Sequence, residues 1–301
     1  MDVRGSMVAL VTPFKDGAVD DASLRSLIAW QLAQGSDGLV PCGTTGEGAT
    51  LEADEQDRVI RVCVEESRAW AEAKGGPPRP VVAGCGSNST KKTIENVRRA
   101  REAGAHATLV VTPYYNKPTQ EGLFRHYEAV AQEGGLPVVM YNIPGRAAVD
   151  LLPDTVARLS RVPGIAGIKE ASGNIVRVAE IREKAHPNFS IYAGDDMFTL
   201  PTLALGGQGV ISACANVAPA DFALVCDAFF GGNLEAARAA QIRLAPLVRA
   251  MFLETNPIPV KYALHKMGKI ASGDLRLPLT TLSPEAAAKV DLALRAYGAL
   301  T

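Results

Sequence analysis

The sequence predicts a (β/α)8 barrel followed by a C-terminal helical appendage, and three observations carry the prediction. Short apolar runs alternate with amphipathic helical stretches eight times up to residue 230. Strands joined by helical crossovers pair in parallel, and eight such units close into a barrel. An open doubly wound sheet would be supported by a Gly-x-Gly-x-x-Gly run after the first strand, and none is there.

The first strand is expected over residues 7–11, closed by Thr12-Pro13 and a turn at Asp16-Gly17. Asp20 or Asp21 can cap a helix running to about residue 34, with Leu24, Leu27, Ile28 and Leu32 on one face and Gly35 as its stop. Residues 38–41 form the second strand and feed Cys42-Gly43-Thr44-Thr45-Gly46-Glu47; a helix over 52–72 then ends at Gly75-Gly76-Pro77-Pro78. Strands follow at 81–83, 107–111, 138–141, 165–169, 190–193 and 209–212. Their helices are expected at 90–102, 121–132, 154–159, 175–184, 198–205 and 220–230. Beyond Gly231-Gly232 no strand pattern remains, and helices are expected at 233–252, 259–267 and 283–297, broken at Asn256-Pro257 and Leu277-Pro278. The chain thus divides into a catalytic barrel, residues 1–232, and a helical region, residues 233–301.

Composition narrows the function. With 47% hydrophobic and 21% charged residues the chain is ordinary globular protein, and a net charge of −1 leaves no footprint for nucleic acid or an anionic membrane. The apolar runs are too short to span a bilayer and no leader pattern opens the chain, so a soluble cytoplasmic protein is expected. Five scattered cysteines without a Cys-x-x-Cys pair argue against a disulfide framework or zinc ribbon. Cys42, Cys85 and Cys214 follow strands, but small buried cysteine explains them better than a metal cluster.

Active sites of such barrels lie at the carboxyl ends of the strands. There the sequence places Gly43-Thr44-Thr45-Gly46, Thr112 to Asn116, Tyr141 to Arg146, Lys169, Gly194-Asp195-Asp196 and Ser212-Ala213-Cys214; no histidine falls among them, which disfavours a metal site. Strands seven and eight lack the Gly-rich turns that a phosphorylated substrate would favour. Lys169 ends the apolar run Ile165-Ala166-Gly167-Ile168. Held against an apolar interior, its amine loses hydration of the ammonium form and becomes a nucleophile for a carbonyl carbon. The bland alternative is a strand-ending lysine paired with a carboxylate in solvent. Tyr141, on the neighbouring strand, can exchange a proton with a carbinolamine, or be an ordinary half-buried aromatic. Thr44 or Thr45 can relay that proton, and the backbone N–H groups of Gly43-Thr44-Thr45 can form a nest for a carboxylate. Equally, that run can be a plain tight turn. Arg146 offers a fork for a carboxylate, or lies on the surface.

Taken together, Gly43 to Glu47, Thr112 to Pro118, Tyr141 to Arg146, Gly167 to Gly173, Gly194 to Asp196 and Asn256 to Lys261 resemble the dihydrodipicolinate synthase family. These are pyruvate-dependent class I aldolases, related to N-acetylneuraminate lyase, and the resemblance runs over nearly the whole chain. It implies that Lys169 forms a Schiff base with pyruvate, with Tyr141, Thr45 and Tyr115 as a proton relay. It implies that Thr44 and Thr45 hold pyruvate, that the backbones of Gly194 and Ile211 line the site, and that Arg146 holds the carboxylate of L-aspartate 4-semialdehyde. The product would be 4-hydroxy-tetrahydrodipicolinate, on the route to diaminopimelate and lysine, and no cofactor is implied. The family alternative is a sugar-derived aldehyde acceptor, and Arg146 speaks against it. The resemblance further implies a homotetramer, a dimer of dimers in which the tyrosine matching Tyr115 is lent across an interface. In feedback-inhibited members lysine is held by residues matching Asn88 and Tyr114, a glutamate and two histidines. Here Lys92 stands for the glutamate, and Ala53 and Gln56 for the histidines. Weak or absent inhibition by lysine is therefore expected.

Overall fold

The computed structural model describes residues 3–300. Eight parallel strands form one sheet: β1 (Gly5–Ala9), β2 (Gly38–Val40), β3 (Val82–Gly84), β4 (Ala107–Val111), β5 (Val138–Asn142), β6 (Ile165–Glu170), β7 (Ser190–Ala193) and β8 (Gly209–Ser212). Consecutive strands pair from β3 to β8, β8 pairs with β1, and β1 with β2. The ring closes at a parallel bridge between Leu39 and Val81, where the Leu39 N–H donates to the Pro80 carbonyl at 2.9 Å. Seven crossovers carry α1 (Asp21–Ala33), α2 (Ala53–Lys74), α3 (Thr90–Glu102), α4 (Gln120–Gly134), α5 (Pro144–Ala147) with α6 (Pro153–Leu159), α7 (Val176–Lys184) and α8 (Thr199–Ala204). α9 (Pro219–Phe230) follows β8.

Side chains alternate across each strand, so the apolar residues divide into two sets. Met7, Ala9, Val40, Val82, Ala107, Leu109, Val139, Tyr141, Tyr192 and Ile211 form one cluster, which fills the barrel. Their neighbours, such as Val8, Leu39, Val81, Val110, Met140 and Ile168, pack in a larger cluster with the helices. At the bottom of the ring β1 and β8 meet at Gly5 and Gly209, where a Cβ on Gly209 would lie 1.9 Å from the Gly5 carbonyl oxygen.

The first strand begins and ends two residues earlier than the apolar run 7–11 suggests. Leu10 and Val11 are buried, but beyond β1 the Val11 N–H turns to the Asn216 side chain at 3.1 Å. Their apolar character reflects packing of the loop. The Asp16-Gly17 turn joins a two-residue hairpin, Phe14–Lys15 with Ala18–Val19, and both turn residues have positive φ (52° and 80°) as such hairpins demand. The stretch expected as one helix over 198–205 is a 3-10 turn, Asp196–Phe198, followed by α8; the Asp195 carboxylate caps it by accepting from the Met197 N–H at 2.9 Å. After residue 233 come α10 (Leu234–Met251), α11 (Ile258–Lys266) and α12 (Pro284–Tyr297). α10 packs on α9 and α12 on both α10 and α11. Among the described residues no helix is long and apolar enough to cross a membrane.

Candidate active site

Lys169 and Tyr141 face each other as register partners on β6 and β5. Each is the penultimate strand residue rather than the last, because Asn142 and Glu170 continue the pairing and the Asn142 amide donates to the Glu170 carboxylate at 3.1 Å. Lys169 is 6% exposed, and its Nζ lies 4.4 Å from the centre of the Tyr141 ring. Gly194, just past β7, makes room for its stem: a Cβ there would stand 3.0 Å from Lys169 Cγ and 2.7 Å from Ala171 Cβ. Burial lowers the Lys169 pKa to about 8; the carboxylate of Asp196 opposes this and the Arg146 guanidinium adds to it. Burial also pushes the Tyr141 phenol up to about 12, so at neutral pH it is a proton donor.

Asp196 is almost wholly buried and takes hydrogen bonds on one oxygen from the Ser212 hydroxyl and, at 3.2 Å, from the Cys214 N–H. Its second oxygen has no hydrogen-bond partner among the described residues. Burial raises the pKa of this carboxyl, and those two donors partly offset the rise. Ile211, one residue before Ser212, is fully buried within the barrel.

The two threonines of the Gly43 to Glu47 loop have different surroundings. Consecutive side chains of a turn face different ways: Thr44 lines the same cavity as Tyr141 and partly offsets the rise in the phenol's pKa, whereas Thr45 Oγ1 accepts from the Asn256 amide at 2.9 Å. Glu47, at φ 52°, anchors the loop from below through a fully buried ion pair with Lys261 of α11, 2.7 Å long. The Arg276 N–H binds the other Glu47 oxygen at 3.0 Å, and Lys261 Nζ lies 4.1 Å from the centre of the Phe14 ring. Desolvating two charges costs several kcal/mol, so removing one partner of this pair is the damaging change.

Arg146 sits on α5, a four-residue helix not expected from the sequence, and its Nη2 donates to the Asn256 carbonyl at 3.0 Å. A cavity of about 410 Å³ joins these groups, lined by Thr44, Tyr141, Arg146, Asn256 and Tyr114 among others. Tyr115 is not brought in: it is 88% exposed, with φ 74°, and is not among the residues that line the cavity. Asn88 is at the same rim, its carbonyl accepting from Asn116 at 2.9 Å. Lys92 lines both the main cavity and a neighbouring one of about 430 Å³ that also touches Ala53, Gln56 and Glu95. Three contributors carried no assigned role in the sequence reading: Asn256, Asp196 and the Glu47–Lys261 pair. A polar residue before the two prolines of Asn256-Pro257-Ile258-Pro259 was the available signal for the first.

An eight-stranded parallel barrel that gathers a desolvated amine, a phenol and a guanidinium at its carboxyl end is the architecture of a barrel enzyme acting on small molecules. Within that class the chain belongs to the dihydrodipicolinate synthetase family, whose family model matches residues 2–297. It is 50% identical over 295 residues to the 4-hydroxy-tetrahydrodipicolinate synthase of Syntrophus aciditrophicus, covering 98% of each chain. It superposes on the dihydrodipicolinate synthase of Thermotoga maritima with a TM-score of 0.94 at 41% identity, covering 100% of both. The chloride-inhibited dihydrodipicolinate synthase of Acinetobacter baumannii, solved in complex with pyruvate, gives 0.93 at 42% identity, over 99% of this chain and 100% of that one.

Proposed function

We propose that this chain is a lyase that condenses pyruvate with L-aspartate 4-semialdehyde to 4-hydroxy-tetrahydrodipicolinate, in lysine and diaminopimelate biosynthesis. The observation that carries the residue roles is the pairing of a buried, pKa-lowered Lys169 with the ring of Tyr141, which itself lines a cavity together with Arg146. The free amine of Lys169 adds to the ketone carbon of pyruvate, and Tyr141 protonates the oxygen as the carbinolamine forms. Loss of water gives the iminium; loss of a methyl proton gives the enamine. Its carbon attacks the aldehyde of the second substrate, forming the new C–C bond while the aldehyde oxygen takes a proton. The substrate's own amine then displaces Lys169 from the iminium carbon, closing the ring and freeing the enzyme.

Thr44 links Tyr141 to the rest of the relay, and Thr45, with the N–H groups of its turn, holds the pyruvate carboxylate. Gly194 and Ile211 line the pocket with backbone, and Arg146 holds the carboxylate of the semialdehyde. We read the assembly as a homotetramer, a dimer of dimers, in which each Tyr115 completes the relay of its neighbour; its exposure in the single chain supports that reading. A cytoplasmic location agrees with five cysteines that are all unpaired and buried. The test is borohydride reduction in the presence of pyruvate, followed by mass mapping. Lys169 should carry the adduct, Lys169→Ala should carry none, and Arg146→Ala should keep the adduct but lose condensation with aspartate semialdehyde. An adduct on another lysine would refute the assignment.

A further inference from the structure

Asn256 lies in the turn between α10 and α11, 211 residues from Thr45 in the chain, and is 6% exposed. It makes two contacts of different kinds. Its side-chain Nδ2 donates to Thr45 Oγ1 at 2.9 Å, and its backbone carbonyl accepts from Arg146 Nη2 at 3.0 Å. A threonine hydroxyl has one proton to give and two lone pairs to receive. With an amide N–H on one lone pair, the proton of Thr45 must point elsewhere, and among the described residues no protein acceptor takes it. Thr45 is 3% exposed, so that proton is not satisfied by bulk water either.

We propose that Asn256 is a positioning residue that fixes the polarity of Thr45, keeping its hydroxyl a donor toward the carboxylate of pyruvate, and that its backbone carbonyl separately orients Arg146. The proposal rests on the functional reading above. One residue of the C-terminal helical region thereby serves both substrates through two distinct atoms. The side-chain arm belongs to pyruvate and the main-chain arm to the semialdehyde.

The two arms can be separated. Asn256→Ala removes the amide and leaves the carbonyl, so KM for pyruvate should rise about three-fold or more while KM for aspartate semialdehyde stays unchanged. Asn256→Asp is nearly isosteric but acceptor-only. It should take the Thr45 proton for itself and repel the substrate carboxylate, raising KM for pyruvate ~10-fold or more, beyond the alanine variant. A residue that merely filled space would give the opposite order, with alanine worse than aspartate. In a Thr45→Val background Asn256→Ala should cost nothing further toward pyruvate. Aspartate as good as asparagine, equal rises in both KM values for the alanine variant, or additive effects with Thr45→Val would each overturn the proposal. Should the aspartate variant not fold, the alanine cycle with Thr45→Val decides alone. Wild-type protein that forms no borohydride-reducible pyruvate adduct would instead refute the functional reading itself.

Discussion

Lys169 is useful because it is costly. An amine with a pKa of about 8 is roughly one-tenth free base at pH 7, against fewer than about one in a thousand for an ordinary lysine. Burial does this, and Asp196 works against it, which is the right compromise for a group that begins as a neutral nucleophile and becomes an iminium cation beside that carboxylate. The rate of trapping the pyruvate adduct should therefore rise with pH through about 8 and then level. Replacing Asp196 with Asn removes a group that raises the lysine pKa, so the rise should move to lower pH. Borohydride trapping rates across this range check it, and an unmoved profile would show that Asp196 does not act on the amine. The lysine itself was legible in the sequence, since an apolar strand running into a single lysine has a limited range of explanations. Asp196 stood in the sequence only as a strand-end residue with no role, because no local pattern tells which strand-end carboxylate will face which amine.

At the scale of elements the period of the pattern was dependable and the ends were not. Eight strands and the helices between them follow from alternation, but β1 is displaced by two residues: Leu10 and Val11 are core residues past its end, and the Val11 N–H turns from the ladder to the Asn216 side chain. Short range also explains why Thr44 and Thr45 could not be told apart. Which hydroxyl meets Tyr141 depends on the turn, and the turn is fixed by the Glu47–Lys261 pair, whose members lie 214 residues apart. The α2 and α3 faces at the cavity rim lead to a prediction about regulation. Lys92 near the start of α3 presents an ammonium where a bound amino acid would need a carboxylate, with Ala53 and Gln56 of α2 opposite. Turnover at saturating pyruvate should be insensitive to sub-millimolar free lysine, and Lys92→Glu should bind lysine about ten-fold more tightly than the parent by calorimetry. Inhibition of the parent in that range would defeat the argument.

For the whole molecule the decisive residue is one that a single chain leaves idle. Tyr115 is 88% exposed at a positive φ, beside Tyr114, which is itself 40% exposed. A large aromatic held in an uncommon backbone conformation costs on the order of 1–3 kcal/mol, and among the described residues of its own chain no hydrogen bond of its side chain offsets that cost. That exposure and that conformation are accounted for if Tyr115 reaches the site of a second copy, whose own Tyr115 returns the favour across a two-fold axis. Subunit mixing makes this testable. Tyr115→Phe should be impaired because each site receives a phenylalanine, and Lys169→Ala is inactive because each site lacks its amine. In a hybrid dimer one site would combine the intact lysine of the first variant with the intact tyrosine of the second. Unfolding the two together at equal amounts and refolding should restore activity to roughly a quarter of wild type, since half the dimers are hybrid and each has one complete site. If Tyr115 served its own barrel, no hybrid site would be complete in both residues, and the mixture would show only the average of its two parents.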